Sequence, residues 1–243
     1  MDRNELQKDP KMLELIKTIS EQMRIRSKQE QAEKAKNYQI LNEHVKKGQI
    51  LFTGSSLMEQ FPVAELLEDA GIDAVIYNRG VSGFTTDDML QFMDEQIFGT
   101  EPSEIYINIG TNDIANPEST FEKNLQKTLT NYENILTQIK TRLPQTRVRM
   151  MAYYPVNETD KIPAGGDPRA MFGNRNNRNL PVANEAVRKL AEKMGYEYID
   201  VNDGLTDARG MLRAEFTVEG IHMYANGYRV VMQNLKPYLT GVK

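Results

Sequence analysis

Cysteine is absent from the 243 residues, and histidine occurs only twice. Without thiols the chain has no disulfide framework, no thiolate zinc site and no cysteine nucleophile. Long apolar runs are missing too. No stretch approaches the length that spans a bilayer, and Met1-Asp2-Arg3-Asn4-Glu5 carries acids where a secretory leader would turn apolar. Nor is there an extended block of lysine or arginine. With a net charge of −4 and a pI near 5.4, the chain has no general attraction for nucleic acid or an anionic membrane. These absences predict a soluble, cytoplasmic protein with neither nucleic acid nor membrane as partner.

The 40% hydrophobic content is enough for one α/β domain with a full core, plus an appendage. The appendage comes first. Residues 11–47 are polar and helix-forming, with Met12, Ile16, Ile19 and Met23 at helical spacing, then Tyr38, Leu41 and Val45 after a charged stretch. A one-sided stripe needs a surface to cover it, so this helix is expected to dock on the domain or to pair two subunits as a homodimer. The chain then divides into a helical extension, 1–47, and a domain, 48–243. His44 lies among Glu43, Lys46 and Lys47 and reads as a solvated surface group.

Beyond residue 48, strand and helix alternate. Residues 50–53, 75–78, 105–109, 148–154 and 196–201 read as short strands. Helices are expected from Thr85, over 119–142 with Leu125, Leu129, Tyr132, Ile135, Leu136 and Ile139 inward, over 181–194, and at the end through Tyr228, Val231 and Leu235. That order predicts an α/β domain with a five-stranded parallel sheet covered by helices on both faces and functional groups at the carboxyl ends of the strands. Asp87 and Asp88 suit the first turn of a helix better than a metal site. Residues 157–179 form a long loop of a kind that is usually functional or mobile.

Chemistry gathers at three strand ends. Gly54 permits a sharp turn, and Ser56 follows at a helix start, where free N–H groups favour developing negative charge. Ser56 is also what a simple helix cap would look like. A serine nucleophile needs a base, and His222 is the only credible one; Glu219, three residues earlier, can reach its Nδ1 while Nε2 faces the serine. Gly83 can offer a backbone N–H, and Asn112 a side-chain NH₂, to the oxygen of a tetrahedral intermediate. Read separately, Gly83 is a turn residue, Asn112 a loop-capping amide, and Glu219 with His222 a surface hydrogen bond. A backbone carbonyl, or the carboxylate of Asp203 or Asp207, is the alternative partner for His222.

The blocks Gly54-Ser55-Ser56-Leu57, Asn78-Arg79-Gly80-Val81-Ser82-Gly83, Gly110-Thr111-Asn112-Asp113 and Glu219-Gly220-Ile221-His222 together resemble the SGNH (GDSL-like) hydrolase superfamily. The resemblance runs from about residue 49 to the end. Ser55 stands where the family usually has aspartate, as in the platelet-activating-factor acetylhydrolase-like branch, and Glu219 stands where the fifth block normally has aspartate. It implies a three-layer α/β/α, flavodoxin-like fold with Ser56, His222 and Glu219 as catalytic residues. Ser56, Gly83 and Asn112 would form the oxyanion hole, with no metal and no cofactor. The implied activity is serine esterase, first on short acyl (acetyl) esters of carbohydrates or other small alcohols. The rivals are a lipase or thioesterase for longer chains and a catalytically silent binding module on the same fold. Arg169, Arg175 and Arg178 of the long loop are candidates for contact with an anionic substrate.

Overall fold

Along a strand, successive side chains face opposite sides, and here the sequence supplies apolar groups for both. The computed structural model describes residues 10–162, 167 and 172–240. In chain order the elements are α1 (Pro10–Asn42), β1 (Ile50–Gly54), α2 (Ser56–Glu59), α3 (Val63–Ala70), β2 (Ile76–Asn78), α4 (Thr86–Gln91) and α5 (Met93–Gln96). They continue with β3 (Glu104–Asn108), α6 (Thr111–Ile114), α7 (Phe121–Arg142), β4 (Arg147–Met151), α8 (Leu180–Met194), β5 (Glu197–Ile199) and α9 (Ala225–Leu239). All pairings are parallel, and the sheet order is β2-β1-β3-β4-β5, the flavodoxin-like order.

Leu51, Ile105, Ile107, Val148 and Met150 pack with residues from α4, α5, α7 and α8 and with Tyr38 of α1. Their neighbours Ile50, Phe52, Tyr106 and Met151 pack with α2, α3 and α9 on the other face. The result is a three-layer α/β/α architecture.

Local differences from the expected elements have physical causes. β4 stops at Met151 rather than 154 because Asn184 of α8 takes over the backbone of Tyr153. Its Oδ1 accepts the Tyr153 N–H at 2.7 Å, and its Nδ2 donates to Tyr153 O at 3.1 Å. On α7, Leu125 and Leu129 are half-buried, whereas Asn124 and Thr128 are buried. Asn124 Nδ2 caps the carbonyls of Ile114 (3.2 Å) and Asn116 (2.8 Å) at the end of α6. β3 carries a buried charge, Glu104, paired with Arg149, and Arg149 in turn lies 2.7 Å from Glu197 on β5.

α1 behaves as two halves. From Lys28 onward it lies against the domain, burying Gln31, Ala35, Tyr38 and Asn42 at helical spacing. Before that, Ile16, Ile19 and Met23 are 47%, 46% and 67% exposed. Leu41 is exposed as well, and Val45 falls beyond the helix end, so of the apolar stripe read from the sequence Tyr38 alone is buried on the docked face. His44 is exposed, in keeping with a solvated histidine. Among the described residues, no helix is long and apolar enough to cross a membrane.

Candidate active site

β1 ends at Gly54 with φ +152°, and a Cβ there would fall 2.0 Å from Asn108 O of the paired strand. Only glycine lets the chain turn this tightly beside β3. α2 therefore starts at once, with Ser55 at the N-cap and Ser56 as its first residue. The turn is stitched from below by Gln96, fully buried, whose Nε2 donates to Gly54 O (3.1 Å) and Arg79 O (2.8 Å). Tyr228 of α9 donates its hydroxyl proton to Leu57 O at 2.9 Å and fixes the far side of α2.

The base arrives on a turn that ties itself together. Thr217 Oγ1 donates to His222 O (2.8 Å) and accepts from Gly220 N–H (2.9 Å), and Val218 N–H donates to His222 O (2.9 Å). Within this turn Glu219 Oε1 accepts the His222 backbone N–H at 3.1 Å and lies 2.5 Å from His222 Nδ1. A carboxylate can only accept there, so the proton sits on Nδ1 and leaves Nε2 with its lone pair. Nε2 is 2.8 Å from Ser56 Oγ. Glutamate in place of aspartate fits because its longer side chain folds back over the turn and uses one oxygen for both contacts. Of the other carboxylates weighed for this position, Asp207 pairs with Arg209 (2.6 Å), and Asp203 is exposed and accepts from Asn234 through its backbone carbonyl.

Gly83 and Asn112 also converge on this rim. Val81 N–H bonds to Gly54 O (3.0 Å) and Arg79 N–H to Phe52 O (2.8 Å), so the loop after β2 runs beside the end of β1. Among the described residues, neither Ser56 N–H nor Gly83 N–H has an intramolecular acceptor. Asn112 Nδ2 gives one hydrogen to Phe84 O (2.9 Å) and has a second to offer. Backbone N–H groups and an amide NH₂ are the kinds of donor that stabilise an oxyanion.

Two neighbours add electrostatics. Arg175 Nη1 donates to Asn112 Oδ1 at 3.3 Å, which sets the Asn112 amide with its NH₂ away from the guanidinium. Burial pushes Arg175 down to about 10, against the opposing pull of the Glu219 carboxylate. Nothing in the sequence separates it from Arg178, which is exposed; Arg169 lies outside the described residues. Asp113 accepts from Thr86 N–H (3.0 Å) and Thr86 Oγ1 (2.5 Å) and so ties α6 to α4. Burial, only partly offset by those bonds, raises its carboxyl to about 6. The folded state therefore holds this proton through a range where the unfolded chain has released it, and the Asp113 contribution to stability falls as pH rises from about 4 to about 6. Asp113→Asn should flatten that decline, read as the pH dependence of Tm of the variant against the parent, and the two curves should differ in slope between those values. Among the described residues no three His, Asp or Glu side chains are grouped to hold a metal ion.

The sequence pattern of the GDSL-like lipase/acylhydrolase family matches residues 58–230. Among solved structures, one described as a "putative platelet activating factor from Streptococcus pneumonia" is 30% identical. It covers 91% of this chain and 98% of its own, with a TM-score of 0.79. A GDSL-like lipase from Bacteroides thetaiotaomicron is 18% identical over 86% of this chain and 98% of that one, with a TM-score of 0.67. An acetylxylan esterase from Geobacillus stearothermophilus is 15% identical over 80% and 95%, with a TM-score of 0.58. The last two are likenesses of fold. No curated protein matches the chain.

Proposed function

Because this chain belongs to the GDSL-like lipase/acylhydrolase family, a family of carboxylic ester hydrolases, we propose that it cleaves short acyl esters through an acyl-enzyme on Ser56. The observation that carries the reading is the unbroken line from Glu219 Oε1 to His222 Nδ1 (2.5 Å) and from Nε2 to Ser56 Oγ (2.8 Å). Nε2 takes the Oγ proton as Oγ attacks the ester carbonyl, and Glu219 stabilises the imidazolium that forms. The carbonyl oxygen becomes an oxyanion within reach of Ser56 N–H, Gly83 N–H and Asn112 Nδ2. The tetrahedral adduct then expels the alcohol, which leaves with the proton from Nε2. Water adds to the acyl group with His222 as base, and the carboxylic acid departs from a regenerated serine.

What surrounds the nucleophile supports a short-acyl substrate. Asn112, Arg175, Glu219 and His222 are polar, which suits an acetyl group on a carbohydrate or another small alcohol better than a long acyl chain. The fold shared with an acetylxylan esterase accords with that choice. With p-nitrophenyl esters, kcat/KM is expected to fall at least about tenfold from acetate to octanoate, and acetylated sugars should be turned over. A rise with chain length would instead favour a lipase or thioesterase. A fluorophosphonate that leaves the folded protein unlabelled would favour a binding module.

A further inference from the structure

The docked face of α1 grips one peptide unit. Val81 to Phe84 forms a turn closed by Phe84 N–H to Val81 O at 3.1 Å, with Gly83 in third position at φ +77°. That is the type II signature, and type II differs from type I chiefly by a rotation of the central peptide. The central peptide here joins Ser82 C=O to Gly83 N–H. In a trans peptide these two groups point in opposite directions, so whatever holds the carbonyl also aims the N–H.

Gln31 holds the carbonyl. Its Nε2 donates to Ser82 O at 3.0 Å, the residue is 7% exposed, and a Cβ on Gly83 would stand 2.6 Å from that same Nε2. The next peptide back is held from the nucleophile helix: Glu59, one turn after Ser56, accepts Ser82 N–H at 2.5 Å and is itself anchored by Lys34 of α1 at 2.9 Å. Tyr38 donates to Gly80 O at 2.7 Å. Each of these contacts fixes the loop against α1 or α2. Of these contacts, the Gln31 bond is the one made to the Ser82–Gly83 peptide itself.

We propose that Gln31 is a positioning residue for catalysis: by holding the Ser82 carbonyl against α1 it keeps the Ser82–Gly83 peptide in the orientation that presents Gly83 N–H to the oxyanion. On this account the helix before the sheet is part of the catalytic apparatus, and what position 31 must supply is a hydrogen-bond donor of the right reach. The inference rests on the reading of Ser56 as nucleophile and Gly83 as oxyanion donor.

The test is a donor series at position 31 with p-nitrophenyl acetate, run beside Ser56→Ala. Gln31→Met keeps length and removes the donor, so kcat should fall by about 10-fold to 100-fold with KM within about twofold, as expected for an oxyanion donor that is only part of the time in place. Gln31→Glu presents acceptors to a carbonyl and should fall at least as far. Gln31→Lys restores a donor and should recover most of the loss. A merely structural contact would lower Tm in all three and would not sort kcat by donor ability. If the Met variant does not fold, the Lys and Glu variants still decide, since both keep reach and polarity and differ in the ability to donate. Equal kcat in the Lys and Glu variants, a Met variant within about twofold of the parent, or a change in KM alone overturns the proposal. Hydrolysis that survives Ser56→Ala would bring down the reading of function and this inference with it. Hydrolysis that needs Ser56 but ignores the donor at 31 brings down this inference alone.

Discussion

Ser56→Ala is expected to lower kcat for p-nitrophenyl acetate by about 10⁴-fold to 10⁶-fold while leaving Tm close to that of the parent, because the hydroxyl does the covalent chemistry and little structural work. Ser56 is already the first residue of α2, and the N-cap position belongs to Ser55. Alanine is the best helix former, so α2 loses no propensity by the change. The hydroxyl's partner is His222 Nε2, on a side chain that is 30% exposed. Residual hydrolysis would then come from the oxyanion donors and binding alone. Activity near that of the parent would move the nucleophile elsewhere, and Ser55, fully buried beside it, would be next to test.

The second large effect belongs to Glu219. Glu219→Gln keeps the shape but removes the charge, and its NH₂ can donate to Nδ1, which would move the ring proton to Nε2 and leave Ser56 without a base. A fall in kcat of about 10²-fold to 10⁴-fold follows. Glu219→Asp keeps the charge but shortens a side chain that now makes both the 2.5 Å contact with Nδ1 and the 3.1 Å contact with His222 N–H. It should retain far more activity than Gln. If Gln, Asp and Ala at 219 all stay within about threefold of the parent, a difference under about 1 kcal/mol, His222 works without the carboxylate and a Ser56 and His222 dyad remains.

How legible the molecule is from its sequence depends on whether a feature leaves a local pattern. β1 and β3 do, because they are largely apolar on both faces and a glycine or a short polar residue marks where each stops; β4 carries Arg147 and Arg149 on one face and ends without such a mark. The turn at Gly54 is legible for the same reason: glycine followed by two serines after an apolar run has few readings. Glu219 and His222 are three apart on one turn, so their contact is written in the spacing. The docking of α1 has no such pattern. Its buried positions are Gln31, Ala35, Tyr38 and Asn42; Gln31 and Tyr38 bond to loop carbonyls and Asn42 to a carbonyl of α5, contacts that hydropathy periodicity does not register. The stripe it does show, through Ile16, Ile19 and Met23, stays exposed. Glu104 and Arg149 lie 45 residues apart and meet only because β3 and β4 pair. Arg175 is one of several loop arginines in the sequence, and only its 3.3 Å approach to Asn112 sets it apart.

The central claim is that Ser56 Oγ becomes covalently bonded during turnover, and a phosphonate adduct tests it most directly. The folded protein is treated with a fluorophosphonate, digested, and the modified residue read from fragment ions of the peptide that carries both Ser55 and Ser56. The account predicts one phosphonyl group per chain, on Ser56, absent after heat unfolding and absent from the His222→Ala and Ser56→Ala variants. An adduct on Ser55, or no adduct on folded protein that still hydrolyses p-nitrophenyl acetate, would contradict it.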